Sequence, residues 1–373
     1  MDEDEEGVIA DTLEAFRRYG EIMGLKINMR RHGLKSLKKE DQALLIEFSD
    51  HLDQLEEAVI INCKLANDIE KFGRNQFLPG EKYALPRPLR PGYVDKVLTT
   101  MKQFWRDWSK DGMLERDMSY KPIIDEIELK FMDIPMNKRN KINVLVPGAG
   151  LGRLPFDIAL KGFSVQGNEF SYFMLISSFF VLNCLKSSND YFLFPFIHTF
   201  SNHRSNKDLL YKCSIPDINP RSIISSGSSF STSMGEFTEV YSHSDMESFF
   251  DVIATCFFID TSPNVISYIR TIWYSLKPGG FWINLGPLLW HYEDNTYTEK
   301  SPEDKNLTCS IELSLETLIQ LIKNLGFEIE KRKTINTTYI GNPCSMLKYI
   351  YETEFWKKYI HNFDEIKLDM IFL

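Results

Sequence analysis

The segment Val144–Arg153 constrains this chain more than any other, because three glycines follow directly after an apolar run. Gly148 and Gly150 let the backbone turn sharply and approach a ligand without a Cβ in the way, and Gly152 lets the next helix pack closely. Glu169 ends the following predicted strand, at about the 20-residue spacing at which a carboxylate reaches a ribose hydroxyl pair. The pattern predicts a strand, a glycine turn, a helix and a second strand that together bind an adenosine-bearing cofactor.

The spacing of the glycines distinguishes between two such cofactors. Dinucleotide-binding turns have the pattern G-x-G-x-x-G. Here the third glycine comes one residue early, and Arg153 occupies the last position of that pattern. The spacing G-x-G-x-G is typical of folds that bind S-adenosylmethionine (SAM), which has no pyrophosphate to place at a helix N-terminus. We therefore expect SAM, with NAD as the alternative.

Composition limits the partners and the compartment. The formal net charge of −9 argues against nucleic acid as an obligatory partner. The six cysteines are scattered, and His198, His203 and Cys213 match no common metal-site spacing, so we expect neither a disulfide framework nor a metal. The acidic N-terminus argues against a signal peptide, and no apolar run is long enough to cross a bilayer. We expect a cytosolic or nuclear protein that works without a membrane.

Three regions follow one another along the sequence. Residues 1–76 are predicted to be a helical region, because apolar side chains recur there at spacings of three and four. They are Leu44, Leu45, Phe48, Leu52, Leu55, Val59 and Leu65. Residues 77–92 form a proline-rich linker, and residues 93–373 form the main domain, which begins with helices at 93–110 and 120–132. The apolar helical region also predicts a homodimer.

From residue 143 onward, predicted strands and helices alternate. The strands are 143–147, 164–169, 251–258 and 281–286, and the helices are 152–161, 171–185, 263–276 and 314–325. Two final strands, near 327–335 and 345–352, have no helix between them. This order predicts an α/β fold with a mostly parallel sheet closed by an antiparallel pair at its edge. Residues 187–248 form an irregular insertion, for which a surface loop and a lid over the site are both open.

Candidate site residues follow from the rule that ligands lie beyond the carboxyl ends of parallel strands. The strand 251–258 directs Cys256 and Asp260 to that region, and the strand 281–286 leads through Gly-Pro to His291. Asp260 could instead cap the next helix, but Ser262 and Asn264 offer the same function. These positions therefore join the glycine turn as candidates.

Several segments together resemble the carnosine N-methyltransferase family. They are Gln103–Trp108, Val146–Arg153, Gln166–Glu169, Phe200–Asn202, Ala254–Thr261, Lys277–Gly280 and Trp282–Leu289. The glycine turn is generic among methyltransferases, whereas Gln103–Trp108 and Ala254–Thr261 are much more specific. The resemblance extends from about Thr12 to Glu352, and it implies a Rossmann-type class I methyltransferase domain behind a helical N-terminal region.

The resemblance also implies a role for particular residues. The implied SAM contacts are Gln103, Arg106, Gly148, Glu169, Cys256 and the pair Glu236–Phe237, where the family usually has Asp in place of the Glu. Arg106 is a plausible partner of the methionine carboxylate through bidentate geometry. The implied substrate-site residues are Asp260, His291 and Tyr351.

The function implied by the resemblance is SAM-dependent methylation of the imidazole ring of the dipeptide carnosine (β-alanyl-L-histidine) to give anserine. In this interpretation Asp260 fixes the imidazole tautomer, while His291 and Tyr351 orient the rest of the dipeptide. Two alternatives remain open. The chain could methylate histidine side chains of proteins, or it could be a SAM-binding scaffold without catalysis.

Overall fold

The computed structural model describes residues 3–78, 80, 86–222, 229–293 and 310–360. The chain divides into two compact units. The first takes its residues from 1–115, 171–222 and 338–349, and the second from 116–170, 223–337 and 350–373. The predicted three-part division follows the chain in order, whereas these units interleave along it. In the described part, no helix combines the length and the apolar character needed to cross a bilayer.

The helices within the described ranges, in chain order, are α1 (Glu3–Arg17), α2 (Tyr19–Ser36), α3 (Lys39–Ala43), α4 (Ile46–Phe77), α5 (Tyr93–Trp108), α6 (Met113–Ser119), α7 (Lys121–Lys130), α8 (Arg153–Ala159), α9 (Tyr172–Cys184), α10 (Asn206–Leu209), α11 (Phe237–Tyr241), α12 (Val265–Ser275) and α13 (Leu315–Asn324). The strands there are β1 (Asn143–Pro147), β2 (Ser164–Glu169), β3 (Tyr191–Leu193), β4 (Cys213–Ile215), β5 (Phe230–Met234), β6 (Phe250–Cys256), β7 (Leu276–Gly286), β8 (Phe327–Thr337) and β9 (Tyr351–Ile360).

The first unit is mainly helical. It contains α1 to α5, α9 and α10, with the short antiparallel pair β3–β4. Leu52, Leu55 and Leu65 of α4 are buried, which confirms the helical pattern predicted for this region. Leu44 and Leu45 are 81% and 44% exposed, because they lie between α3 and α4 and not on a buried helix face. The predicted apolar stripe was therefore wrong at its first two positions.

A buried hydrogen-bond network stabilises the first unit. The Tyr19 hydroxyl lies 2.8 Å from Nε2 of His198, and Asn62 donates to the same hydroxyl at 2.9 Å. Complete burial lowers the pKa of His198 to about 3, so its ring is neutral at physiological pH. His198 therefore packs as a neutral polar residue of the core.

The second unit is built on a seven-stranded sheet with the order β5-β2-β1-β6-β7-β9-β8. The strands β5, β2, β1, β6 and β7 are mutually parallel, whereas β9 is antiparallel to both β7 and β8. This confirms the predicted α/β fold with a mostly parallel sheet and an antiparallel pair at one edge. The chain first places β8 at the edge, and β9 then enters between β8 and β7.

Side chains alternate between two cores, one on each face of this sheet. Val144, Val252 and Phe281 face α7 and α8, whereas Leu145 and Ile253, on the opposite face, pack with α12 and α13. Because neighbouring residues of a strand point to opposite faces, strands that are apolar throughout fill both cores. The sheet is thereby held rigidly, and the ends of its strands can position a site.

The structure differs from the sequence-based prediction within 187–248. This segment is not wholly irregular, since it contains β3, α10, β4, β5 and α11. The strand β5 has one aromatic residue and four small or flexible ones, so its composition gave little strand signal. It forms a strand because its backbone pairs with β2, from Val165 opposite Phe230 to Glu169 opposite Met234. Residues 223–228 of the serine-rich stretch lie outside the described residues.

Two strand boundaries also differ from the prediction. β7 begins at Leu276 and not at 281, and β9 covers Tyr351–Ile360 and not 345–352. The segment before β9 turns at Asn342, whose side chain accepts a hydrogen bond from the Cys344 N–H at 2.9 Å. The prediction ended this strand too early because Lys357 and Lys358 follow, and charged residues are rare in the middle of a sheet. Of the predicted linker, residues 79 and 81–85 lie outside the described residues.

Lys358 is an unusual residue of the core. Its side chain is 0% exposed, and its Nζ has no hydrogen-bond partner among the described residues. The Nζ lies 4.7 Å from the ring centroid of Trp356 and 5.8 Å from that of Trp282. Burial, together with the nearby charges of Arg332 and Lys323, lowers the pKa of Lys358 to about 7. A charged Lys358 is therefore costly at neutral pH.

We expect Lys358→Met to raise the free energy of unfolding at pH 6.5 by about 2–4 kcal/mol, because Met fills the site without a charge. The pKa of Lys358 is about 7 in the folded state and near 10.5 in the unfolded state. The unfolded wild type therefore binds more protons between these values, so its stability rises with pH and the advantage of the variant shrinks by pH 9.5. Urea unfolding at both pH values measures this, with the exposed Lys333→Met as the control. A variant less stable than wild type at pH 6.5 would contradict the prediction.

Candidate active site

Most of the predicted site residues lie at one edge of the large sheet. The strands β1, β2, β5, β6 and β7 are parallel, so their carboxyl ends share this edge. β9 runs antiparallel to β7, so its first residue lies at the same edge. The residues that the second unit brings to this edge are Gly148, Glu169, Glu236, Phe237, Cys256, Asp260, His291 and Tyr351. The sheet also reverses its order here, between β1 and β6.

The glycine turn has the backbone conformation that its sequence predicts. Gly148 and Gly150 have φ angles of +65° and +56°, which L side chains rarely adopt. A Cβ on Gly148 would lie 2.7 Å from Cδ2 of Phe258, so a side chain there would displace the ring. The turn therefore requires glycine both for its conformation and for space.

The carboxylate of Glu169 is held against this turn. Its Oε2 accepts a hydrogen bond from the Gly150 N–H at 2.8 Å, and its Oε1 accepts one from the Phe170 N–H at 2.9 Å. The Ala149 N–H also donates to the carbonyl oxygen of Asn168, at 2.9 Å. These bonds fix an acidic group beside the glycines.

Glu236 and Phe237 are oriented towards the protein. The Glu236 carboxylate caps α11, since its Oε2 accepts from the Glu239 N–H at 2.9 Å and from the Thr238 hydroxyl at 2.5 Å. The Phe237 ring is buried and meets the ring of Phe258 edge-on, at 5.3 Å between centroids. Phe258 in turn stacks on Tyr268 at 4.8 Å. Phe237 thus supports the ring that lies over Gly148, and the predicted SAM contacts of this pair stay a prediction.

The end of β6 has a strained backbone. Phe257 has a φ angle of +53°, which is uncommon for a residue other than glycine. Its N–H donates to the carbonyl oxygen of Leu285 at 2.8 Å, which holds this conformation. Its ring meets the ring of the half-buried Tyr351 edge-on, at 5.9 Å between centroids. Cys256, directly before it, is partly buried and forms no disulfide.

Asp260 connects the ends of β6 and β7. Its Oδ2 accepts a hydrogen bond from the Leu289 N–H at 2.9 Å, and its backbone carbonyl accepts one from the His291 N–H at 3.0 Å. Burial raises the pKa of Asp260 to about 6, and hydrogen bonds from the backbone act against this shift. Asn264, and not Asp260, caps α12. A buried carboxyl group with this pKa, at the sheet edge where ligands bind, is typical of a functional residue.

His291 follows β7 through the segment that Asp260 holds. His291 is an exposed residue. Partial desolvation of its imidazole lowers the pKa of the ring below its usual value. The ring is therefore neutral at physiological pH and offers one hydrogen-bond donor and one acceptor. The segment after β7 thus carries a neutral imidazole, and its backbone is hydrogen-bonded to the residue that carries the buried carboxyl group.

Gln103 and Arg106 lie in the first unit, on α5. Nε2 of Gln103 donates to Oδ2 of Asp107 at 3.0 Å, while the amide oxygen of Gln103 is buried without a hydrogen-bond partner in the described part of the chain. Arg106 is buried and forms ion pairs with Glu115 at 2.8 Å and with Asp107 at 3.3 Å. α5 therefore holds an amide and a guanidinium group in fixed positions.

Two observations fit an adenosine-bearing cofactor. The glycine turn has the positive φ angles that bring its backbone close to a ligand, and it is bordered by the Glu169 carboxylate. The buried amide oxygen of Gln103 has no partner, which is costly unless a ligand or water donates to it. Sequence analysis did not identify Phe258, Leu289 or Glu115. Phe258 is one of many apolar residues, Leu289 acts through its backbone N–H, and nothing in the sequence shows that Glu115 is buried.

Comparison with known proteins identifies the family. The family model described as "Carnosine N-methyltransferase" matches residues 87–362. The carnosine N-methyltransferase of Schizosaccharomyces pombe is 39% identical over 360 residues, which are 95% of this chain and 96% of that protein. The carnosine N-methyltransferase of Mus musculus is 43% identical over 345 residues, or 91% of this chain and 82% of that protein.

Among solved structures, a SAM-dependent methyltransferase from Methanosarcina mazei has a TM-score of 0.37 at 16% identity, and the match covers 59% of this chain and 93% of that chain. The sequence relatives agree with the resemblance seen in the motifs, and the family model spans most of the chain. The chain therefore belongs to the carnosine N-methyltransferase family.

Proposed function

We propose that this chain transfers a methyl group from SAM to the imidazole ring of carnosine, giving anserine and S-adenosylhomocysteine. Family membership supports the reaction. The observation that carries the proposal is Asp260, a buried carboxyl group at the same edge of the sheet as the glycine turn. An imidazole substrate needs such a group, because only one of its two ring nitrogens has a lone pair available in each tautomer.

Bound SAM supplies a methyl group on a sulfonium, which is activated for transfer to a nucleophile. On our proposal, Glu169 binds the ribose hydroxyls, and the turn at Gly148 brings the backbone close to the cofactor. Gln103 and Arg106 bind the methionine portion, with the guanidinium paired to its carboxylate. Cys256 and the pair Glu236–Phe237 complete the proposed contacts.

Asp260 acts on the acceptor. Its carboxylate accepts the N–H of one imidazole nitrogen, which fixes the tautomer and leaves the lone pair of the other nitrogen for the new N–C bond. The ring becomes cationic as this bond forms and the C–S bond breaks, and the buried carboxylate stabilises that charge. The ring proton then passes to Asp260 and on to water, which leaves a neutral methylimidazole. The pKa of about 6 keeps Asp260 ionised at neutral pH. It is also close to the pKa of an imidazole ring, which favours proton transfer between the two groups.

The remainder of the dipeptide needs polar groups at the same edge. His291 and Tyr351 provide a neutral imidazole and a phenol hydroxyl, and we propose that they orient the β-alanyl and carboxylate ends. Their chain positions support this, since the His291 N–H bonds to Asp260 and the Tyr351 ring packs on Phe257. Both anchors rest on the strand end that carries Asp260.

We also propose that the protein is a homodimer of the cytosol or nucleus. The scattered cysteines support a reducing compartment. Exposed apolar side chains on α2, on α4 and just before α4 support self-association, because exposed apolar surface can mark an interaction site. They are Leu25, Met29, Leu44, Ile46 and Ile60, each at least half exposed.

Incubation of the purified protein with SAM and carnosine should give a dipeptide that has gained one methyl group. Tandem mass spectrometry and NMR should locate that group on the imidazole nitrogen nearer the side-chain methylene. A chain that binds SAM by calorimetry but leaves carnosine unchanged would redirect the proposal to histidine side chains of proteins. Histidine-containing proteins incubated under the same conditions provide that comparison.

Asp260→Asn should reduce turnover by about 100-fold or more while changing the dissociation constant of SAM by less than about 3-fold. The same variant should be more stable at pH 8, by about 3 kcal/mol, because the ionised wild-type carboxyl is buried and the amide is not charged. The folded-state pKa of about 6 lies above the unfolded value of 3.8. Ionisation therefore lowers wild-type stability as pH rises through this window.

The pH dependence separates this explanation from simple repacking. The stability difference between Asp260→Asn and wild type should fall to about half by pH 5, where most of the folded wild type is protonated. Urea unfolding at pH 5 and pH 8 measures it, and Asp245→Asn, on an exposed residue, is the control. Full turnover in Asp260→Asn would rule out the tautomer role.

The double variant Leu44→Glu/Ile46→Glu should be monomeric, because two carboxylates in place of these exposed apolar side chains oppose their burial in an interface. Sedimentation equilibrium compares its mass with that of the wild type. Leu129→Glu, which changes an exposed apolar residue of α7, is the matched control and should keep the wild-type mass. A monomeric wild type would exclude the homodimer.

A further inference from the structure

Glu115 is a buried acid that the proposed chemistry does not use. It lies near the start of α6 and is 3% exposed. Its carboxylate accepts hydrogen bonds from the Thr338 hydroxyl at 2.8 Å, from the Ile340 N–H at 2.7 Å and from the Gly341 N–H at 3.1 Å. Oε1, which accepts from Ile340, also lies 2.8 Å from Nε of Arg106. One carboxylate therefore holds both a buried cation and a loop.

Arg106 is positioned from three directions. Glu115 contacts its Nε side, and Asp107 lies 3.3 Å from Nη1. The ring of Tyr339, a residue of the same loop, lies 4.7 Å from Cζ of the guanidinium. Because the fork of a guanidinium must match a carboxylate in its plane, these contacts decide which ligand geometry Arg106 can meet.

The loop that Glu115 holds leads directly into β9. It comprises residues 338–349, and Tyr351 is the first residue of the strand that follows. Ile340 has a φ angle of +53°, so its N–H points at Glu115 only in an uncommon backbone conformation. Without the carboxylate, two backbone N–H groups would lose their acceptor and the conformation would lose its support.

We propose that Glu115 is a positioning residue for both partners of the reaction. It sets the guanidinium of Arg106 for the carboxylate of SAM, and it fixes the loop from which Tyr351 follows. This inference rests on the proposed function, in which Arg106 binds SAM and Tyr351 binds the dipeptide. The affinity for SAM and the KM for the dipeptide then depend on the same buried carboxylate.

The test compares Glu115→Gln with Glu126→Gln. Glu126 is a matched control, because it is also a buried helical acid that pairs with cations, here Lys331 and Lys357. Calorimetry should show the dissociation constant of SAM raised about 10-fold or more in Glu115→Gln. We expect it to change less than about 2-fold in the control, although both variants lose stability.

Kinetics provide a readout that a loss of stability would not produce. In Glu115→Gln the KM for carnosine should rise several-fold, while kcat at saturation with both substrates stays within about 3-fold of wild type, because the groups at the reacting atoms are unchanged. An unchanged SAM affinity and an unchanged KM in a folded Glu115→Gln would overturn the role of Glu115. Wild-type protein that fails to bind SAM would instead contradict the proposed function itself.

A second variant keeps the test decisive if Glu115→Gln does not fold. Tyr339→Leu removes the ring beside Arg106 at a residue that is 40% exposed, so the fold should persist. The dissociation constant of SAM should rise about 2- to 5-fold, which is the effect of a lost cation–π contact at a partly exposed site. A Tyr339→Leu protein with wild-type SAM affinity and wild-type KM would also overturn the proposal.

Discussion

The parallel pairing of β1 with β2 on one side and with β6 on the other determines where this protein can carry out chemistry. Parallel strands end at one edge, so the glycine turn, Glu169 and Asp260 arrive there from three different parts of the chain. The reversal of strand order between β1 and β6 opens a crevice at that edge, since the following helices diverge to opposite faces. Two cores, one on each face, hold the strands in place.

This rigid frame supports groups that are costly on their own. Phe257 is strained at the end of β6, and Asp260 is buried with a raised pKa. Both lie at the carboxyl edge of the parallel strands, where α/β sheets bind ligands, so a functional gain can offset the loss of stability. Lys358 carries a similar cost near the end of β9, away from that edge. A buried charge alone is thus a weak indicator of function, and its position in the fold distinguishes a functional group from a structural one.

The sequence predicted the structure best where the local residue pattern and the packing of the whole sheet favour the same element. β1 and β2 were predicted with their observed bounds, because the apolar run of β1 ends at the glycine turn and β2 ends at the acid expected at that spacing from it. β5 was missed, because it depends on pairing with β2 and not on its own composition. Among site residues, Asp260 and His291 follow from strand ends, whereas the cap formed by Glu236 and the unpartnered oxygen of Gln103 require coordinates.

Two buried carboxyl groups show how surroundings divide the roles of chemically similar side chains. Glu115 accepts from three donors and pairs with a guanidinium, so its lone pairs are occupied and its position is fixed. Asp260 accepts hydrogen bonds from backbone N–H groups within the described residues, and burial has moved its pKa towards that of an imidazole. The first environment suits a residue that holds other groups in place. The second suits one that binds a ring N–H and takes its proton, because such a group must be able to change its protonation state near neutral pH.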